Sequence, residues 1–124
     1  MANTTAQTGY APVNGLQMYY EIHGTGQPLV VLHGSFMTIE LMGKLVPELA
    51  KSRQVVAVEL QGHGHTVDID RPFTYEQLAD DTAALLRHLG IGSADNQNYA
   101  ALLYTAGVAA LVGALIVLPI KKVK

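Results

Sequence analysis

Four consecutive residues, His33-Gly34-Ser35-Phe36, follow directly on the apolar run Leu29-Val30-Val31-Leu32. A glycine at the end of a buried strand lets the backbone turn sharply, so that the next N–H groups point into a cleft at the strand's carboxyl end. Backbone donors in that position stabilise the oxyanion of an acyl-transfer intermediate. The plainer alternative is that His33-Gly34 simply ends a strand, where glycine is common. A second histidine pair lies in the turn-rich stretch Gln61-Gly62-His63-Gly64-His65. Two histidines fall short of the usual three or four zinc ligands, and no other ligand type clusters with them, so no metal is expected. Gly24-x-Gly26 lacks the third glycine and the helix of a dinucleotide fingerprint; it reads as a turn, and no cofactor is expected. His23 and His88 read as strand-edge and helix-end residues.

The elements that must position this turn are marked locally. Asn14-Gly15 between Tyr10–Val13 and Leu16–Ile22 is a hairpin signal, because both residues tolerate positive φ in a type I′ turn. Leu29–Leu32 is apolar without alternation, as in a strand covered on both faces. A helix is predicted from about Thr38 to Ala50, with Pro47 late in it, and a second buried strand over Gln54–Leu60. Thr74 and Gln77 then form a capping-box pattern. Leu78, Leu85, Leu86 and Leu89 follow near helical period, and Gly90 is placed as a stop. Hairpin, strand, helix, strand, helix predicts an α/β architecture with a parallel sheet and helices packed on it.

Composition narrows the function classes. With 124 residues there is room for one modest domain, and a net charge of −2 provides no basic patch for nucleic acid. The absence of cysteine removes disulfides, a thiol nucleophile and Cys-ligated zinc. Met1–Thr8 is polar and uncharged, unlike a secretory signal.

Three stretches together resemble the α/β-hydrolase superfamily, in particular its esterase and haloperoxidase-like members. Gly24-Thr25-Gly26-Gln27-Pro28-Leu29-Val30-Val31-Leu32-His33-Gly34 looks like the family's third strand and oxyanion turn. Val55–Thr66 looks like the next strand and its Gly-x-Gly-x-Ser/Thr turn, with Glu59 where many members carry Asp. Arg71–Asp81 is similar to the helix that follows. The resemblance implies an incomplete hydrolase sheet over residues 1–95, with strand order 1-2-4-3. It also implies that Ser35 contributes a backbone N–H to an oxyanion hole and is not a nucleophile. In the family a Gly-x-Ser-x-Gly elbow, an acid and a histidine come later. No Gly-x-Ser-x-Gly occurs in this sequence, and no Asp, Glu or His follows Asp95. No catalytic triad residue is therefore assigned. His33, Gly34, Ser35 and Phe36 are the candidate site.

From Asn96 to Ile120 there is no charged side chain, and Ala100–Ile120 is almost wholly apolar or small. That length suits one transmembrane helix of about 20 residues, with Tyr99 and Tyr104 at one end and Lys121, Lys122 and Lys124 at the other. Less specifically, the segment looks like the last spanning helix of a multi-helix transporter. Small residues recur at four-residue spacing, as in close helix–helix packing. The alternative is a buried helix to about Ala114, followed by a strand over Leu115–Leu118. The expected organisation is thus a hydrolase-like part, 1–95, truncated before its nucleophile, and a single-pass membrane helix with a basic tail, 96–124, of undetermined orientation. Its partners would be membrane lipid and a helix or edge-strand partner, because Leu29–Leu32 would otherwise lie on an exposed edge. The leading functional expectation is a membrane-anchored, hydrolase-derived protein with no activity of its own. The alternatives are a hydrolase of small ester-like substrates and a membrane interaction subunit.

Overall fold

A computed structural model describes residues 6–91 and the strand Ile116–Pro119. The described strands form one sheet in the order β1-β2-β4-β3-β5. The hairpin β1 (Gln7–Val13) and β2 (Leu16–His23) closes through Asn14 and Gly15, with φ of 50° and 86°. These are the paired positive values that an Asn-Gly type I′ turn requires. Strand β2 pairs antiparallel with β4 (Arg53–Val58), which runs parallel to β3 (Gln27–Leu32).

Side chains of the two parallel strands alternate between two separate cores, as the pleat dictates. Val30, Leu32, Val56 and Val58 pack with the inner face of the hairpin and with Leu85 and Leu86 of α2 (Tyr75–His88). Val31, Val55 and Ala57 face the other way, onto Ile39, Met42 and Val46. Both faces of the central strands are therefore covered, which explains their unbroken apolar sequence.

The predicted helix over Thr38–Ala50 is split into a 3-10 turn, Glu40–Met42, and a short helix α1, Leu45–Leu49. Gly43, at φ 59°, makes the break. Pro47 then falls in the first turn of α1, where its missing N–H has no intrahelical acceptor to lose. Helix α2 begins at Thr74, whose Oγ1 accepts from the Gln77 N–H at 3.1 Å. Only half of the expected capping box forms. The Gln77 side chain instead donates to Asp81 Oδ1 at 3.2 Å, because that buried carboxylate requires donors. At the other end the Gly90 N–H donates to Arg87 O and the Ile91 N–H to Leu86 O, with Gly90 at φ 68°, a Schellman stop.

The C-terminal expectation needs correction. A helix over Ala100–Ile120 does not run through Ile116–Pro119, which is the strand β5, antiparallel to β3 with Val31 opposite Val117. Residues 92–115 and 120–124, and with them the rest of the expected span, lie outside the described residues. Among the described residues no helix is long and apolar enough to cross a membrane. Leu29–Leu32 is accordingly not an open edge: β4 pairs with it on one side and β5 on the other. An uncharged run rich in Val, Leu and Ile satisfies a spanning helix and a buried strand equally well, which is why the sequence alone favoured the wrong element at these four positions.

Candidate functional site

At the carboxyl end of β3 the chain reverses in a tight turn, with the Met37 N–H donating to Gly34 O at 3.2 Å. The third residue of this turn, Phe36, has φ 61°. That position normally takes glycine or asparagine, and a bulky residue there is strained. The Phe36 side chain offers no compensating burial, being 95% exposed. Strain of this sort persists only where the surroundings hold it, and it concentrates at sites of function.

The holding groups are histidines. His33 is 1% exposed. Its Nδ1 lies 2.8 Å from Gly34 O, an acceptor, so Nδ1 carries the proton. That leaves Nε2 to accept the Leu60 N–H at 2.9 Å. Burial lowers the pKa of this imidazole, against smaller opposing effects of the Gly34 carbonyl and Glu59. It is therefore a neutral crosslink between the ends of β3 and β4. The His63 ring packs on it, with centroids 4.6 Å apart. His63 Nδ1 faces Gln61 O at 3.0 Å and so also carries a proton. Its Nε2 accepts the Phe36 N–H at 3.3 Å.

Glu59, directly after β4, anchors the same region from beneath. One oxygen accepts the Ile39 N–H at 3.1 Å; the other accepts the His65 N–H and ring N–H, each at 2.8 Å. Burial pushes its pKa upward, but these three donors outweigh that and hold it below the usual carboxylate range. Gly64 is required here, because a Cβ at that residue would collide with the Glu59 carboxylate. His63 and His65 are thus committed to different partners. Among the described residues no group of three or more His, Cys, Asp or Glu could hold a metal ion.

The structure brings His33 and Phe36 together with His63, and Gly34 and the half-buried Ser35 are the first and second residues of the turn between them. Sequence reasoning missed His63 and Glu59. A charged residue closing an otherwise apolar strand, five positions before a glycine, was the signal for Glu59. Nothing local marks the contact between Phe36 and His63. A separate cleft of about 680 Å³ beside β2 is lined in part by Glu21, His23, Glu40, Glu59 and His65, and the turn is not part of it. Two of its carboxylates are already engaged, Glu21 by Tyr19 and His23 and Glu59 as above.

No protein-family model matches the chain. Over 80 residues it is 35% identical to the soluble epoxide hydrolase of Corynebacterium sp. (strain C12), a match taking in 64% of this chain and 28% of that protein. Among solved structures it is similar to the epoxide hydrolase CorEH, at 32% identity and a TM-score of 0.65, over 69% of this chain and 30% of that one. It is also similar to the enol-lactonase from Burkholderia xenovorans LB400, at 34% identity and a TM-score of 0.62, over 68% and 34% of the two chains. The chain spans about a third or less of the length of each. Its N-terminal part resembles the α/β-hydrolase superfamily, and its sheet with flanking helices is a partial α/β-hydrolase-like sheet.

Proposed function

We propose that this chain supplies the oxyanion-binding turn of an α/β-hydrolase-type site for small ester-like substrates, the nucleophile coming from polypeptide outside these 124 residues. The observation that carries this is the strained turn after β3, with Phe36 at φ 61° and its N–H, one residue beyond the Ser35 N–H that the resemblance implies, outside the backbone ladder. It stands at the carboxyl end of parallel strands, where open α/β sheets bind their ligands. When a nucleophile adds to an ester carbonyl, negative charge collects on the carbonyl oxygen. A preorganised backbone N–H there stabilises that charge without reorganising. His33 fixes the turn, and Glu59 fixes the loop that carries His63. Likeness to a lactonase, whose substrate type contains a cyclic ester, supports the substrate class.

A second functional reading, a catalytically incompetent, membrane-associated derivative, draws on two observations. Strand β5 occupies the β3 edge where the resemblance implies that the nucleophile-bearing strand pairs. The run from Asn96 to Ile120 is uncharged. Hydrolysis of p-nitrophenyl acetate separates the two functions. The full chain is assayed alone, and after co-refolding with the part of the Burkholderia enol-lactonase that follows the matched region. The hydrolase function requires no turnover and no fluorophosphonate labelling by the chain alone, with turnover restored in the mixture. A refolded mixture that stays inactive favours the incompetent derivative.

A further inference from the structure

His63 Nε2 accepts the Phe36 N–H, the same donor that the function proposed above assigns to a reacting oxygen. We infer that His63 is a positioning residue that holds the Phe36 N–H through Nε2 until a substrate oxygen displaces it, an inference that rests on the oxyanion-turn function proposed above.

Three observations carry it. First, the hydrogen bond is long, 3.3 Å, against about 2.9–3.0 Å for ordinary N–H donors. It is thus strong enough to orient an amide and weak enough to yield to an anionic oxygen, which forms shorter and stronger bonds. Second, the acceptor is built for the purpose. Nδ1 is pinned to Gln61 O at 3.0 Å, which forces the tautomer that leaves Nε2 as a lone-pair acceptor. The ring also packs against His33 at 4.6 Å, tilted by 43°, and lies 6.2 Å from Phe73. Third, the amide it meets belongs to a bulky residue held at positive φ with its own side chain almost wholly in solvent. No packing of the Phe36 side chain accounts for that conformation, whereas the His63 contact does.

Solution NMR on the full chain tests this with two substitutions. His63→Phe keeps a ring against His33 and removes the acceptor; His63→Gln restores an acceptor without the ring. In the unmodified protein, long-range proton–nitrogen correlation is expected to show His63 protonated at Nδ1 with Nε2 as acceptor, a signature that a purely packing role would not fix. In His63→Phe the Phe36 amide should exchange with solvent about 2- to 12-fold faster, one net hydrogen bond's worth, while the Val30 and Val56 amides stay unchanged. His63→Gln should return the Phe36 rate toward that of the unmodified protein. Methylphosphonate, standing in for the tetrahedral oxyanion, should shift the Phe36 amide and bind His63→Phe more tightly by a similar factor, since the competing acceptor is gone. A His63 protonated at Nε2, or a Phe36 exchange rate indifferent to His63→Phe, overturns the inference; the first reading stands even if His63→Phe does not fold. If the exchange rates behave as expected but methylphosphonate shifts no amide of residues 34–36 in any variant, the oxyanion-turn function falls, and displacement by substrate falls with it.

Discussion

His33 Nε2 accepts the Leu60 N–H at 2.9 Å, tying the ends of β3 and β4 together by a side chain beyond the last rung of their ladder. The bond exists only while the imidazole is neutral. Because burial lowers the His33 pKa, the native state binds this proton less readily than the unfolded chain does. Stability from this group is therefore complete above the ordinary histidine value of about 6.5 and falls as pH drops below it toward the lowered native value. Glu59, held below its ordinary range, adds a second loss at lower pH. That loss begins near the unfolded carboxylate value of about 4.3 and continues down through the native one. Urea midpoints measured across pH should show both descents, with His33→Gln removing the upper and Glu59→Gln the lower.

Asp81 is fully buried and accepts from Asn14 at 3.0 Å, from Gln77 at 3.2 Å and from the two terminal guanidinium nitrogens of Arg71, Nη1 and Nη2. Arg71 also reaches Gln61 Oε1 at 2.8 Å, so a single network joins the hairpin turn, the segment after β4 and α2. Arg71→Met should cost about 3–5 kcal/mol, because it leaves a buried carboxylate without its countercharge. Adding Asp81→Leu to that variant should recover a sizeable part of the loss. Equal destabilisation by the single and double variants would show that the charge is not what matters.

Phe36 gives a prediction of opposite sign. Replacing it with Gly relieves positive φ at little cost in burial, so the unfolding free energy should stay level or rise by up to about 1 kcal/mol. A clear loss of stability would mean that the exposed ring is packed against something the described residues do not include.

The pairing of β5 with β3 can be tested by removing donors. A Val117→Pro, Leu118→Pro double variant cannot complete the ladder and should leave the apolar β3 edge open. Concentration-dependent association in sedimentation is the expected result. An unchanged monomer with an unchanged unfolding transition would show that β5 contributes nothing to the sheet.

Much of this fold was legible because its signals are local. Asn14-Gly15, the apolar runs ending at Leu32 and Leu60, Thr74 as a cap and Gly90 as a stop each act within a few residues; turn, cap and stop formed where they were expected, and of the two strands β4 ends at Val58, two residues short of Leu60. The order β1-β2-β4-β3 came from resemblance, since periodicity contains no pairing information. What escaped was non-local or ambiguous. The Phe36–His63 bond spans 27 residues, and the diversion of Gln77 to Asp81 depends on a charge buried by tertiary packing. An apolar segment with no charge carries no sign of whether it will be helix or strand. The candidate turn itself, His33 to Phe36, was visible as sequence, but its strain and its histidine acceptor were visible only in three dimensions.

The most direct measurement is the crystal structure of the complemented assembly carrying a phosphonate adduct. With the turn acting as an oxyanion site, a phosphonyl oxygen should lie about 2.7–3.1 Å from Phe36 N, with His63 Nε2 withdrawn from it. A phosphonate bound elsewhere, with the Phe36 N–H still on His63, would contradict the assignment of this turn as the oxyanion site.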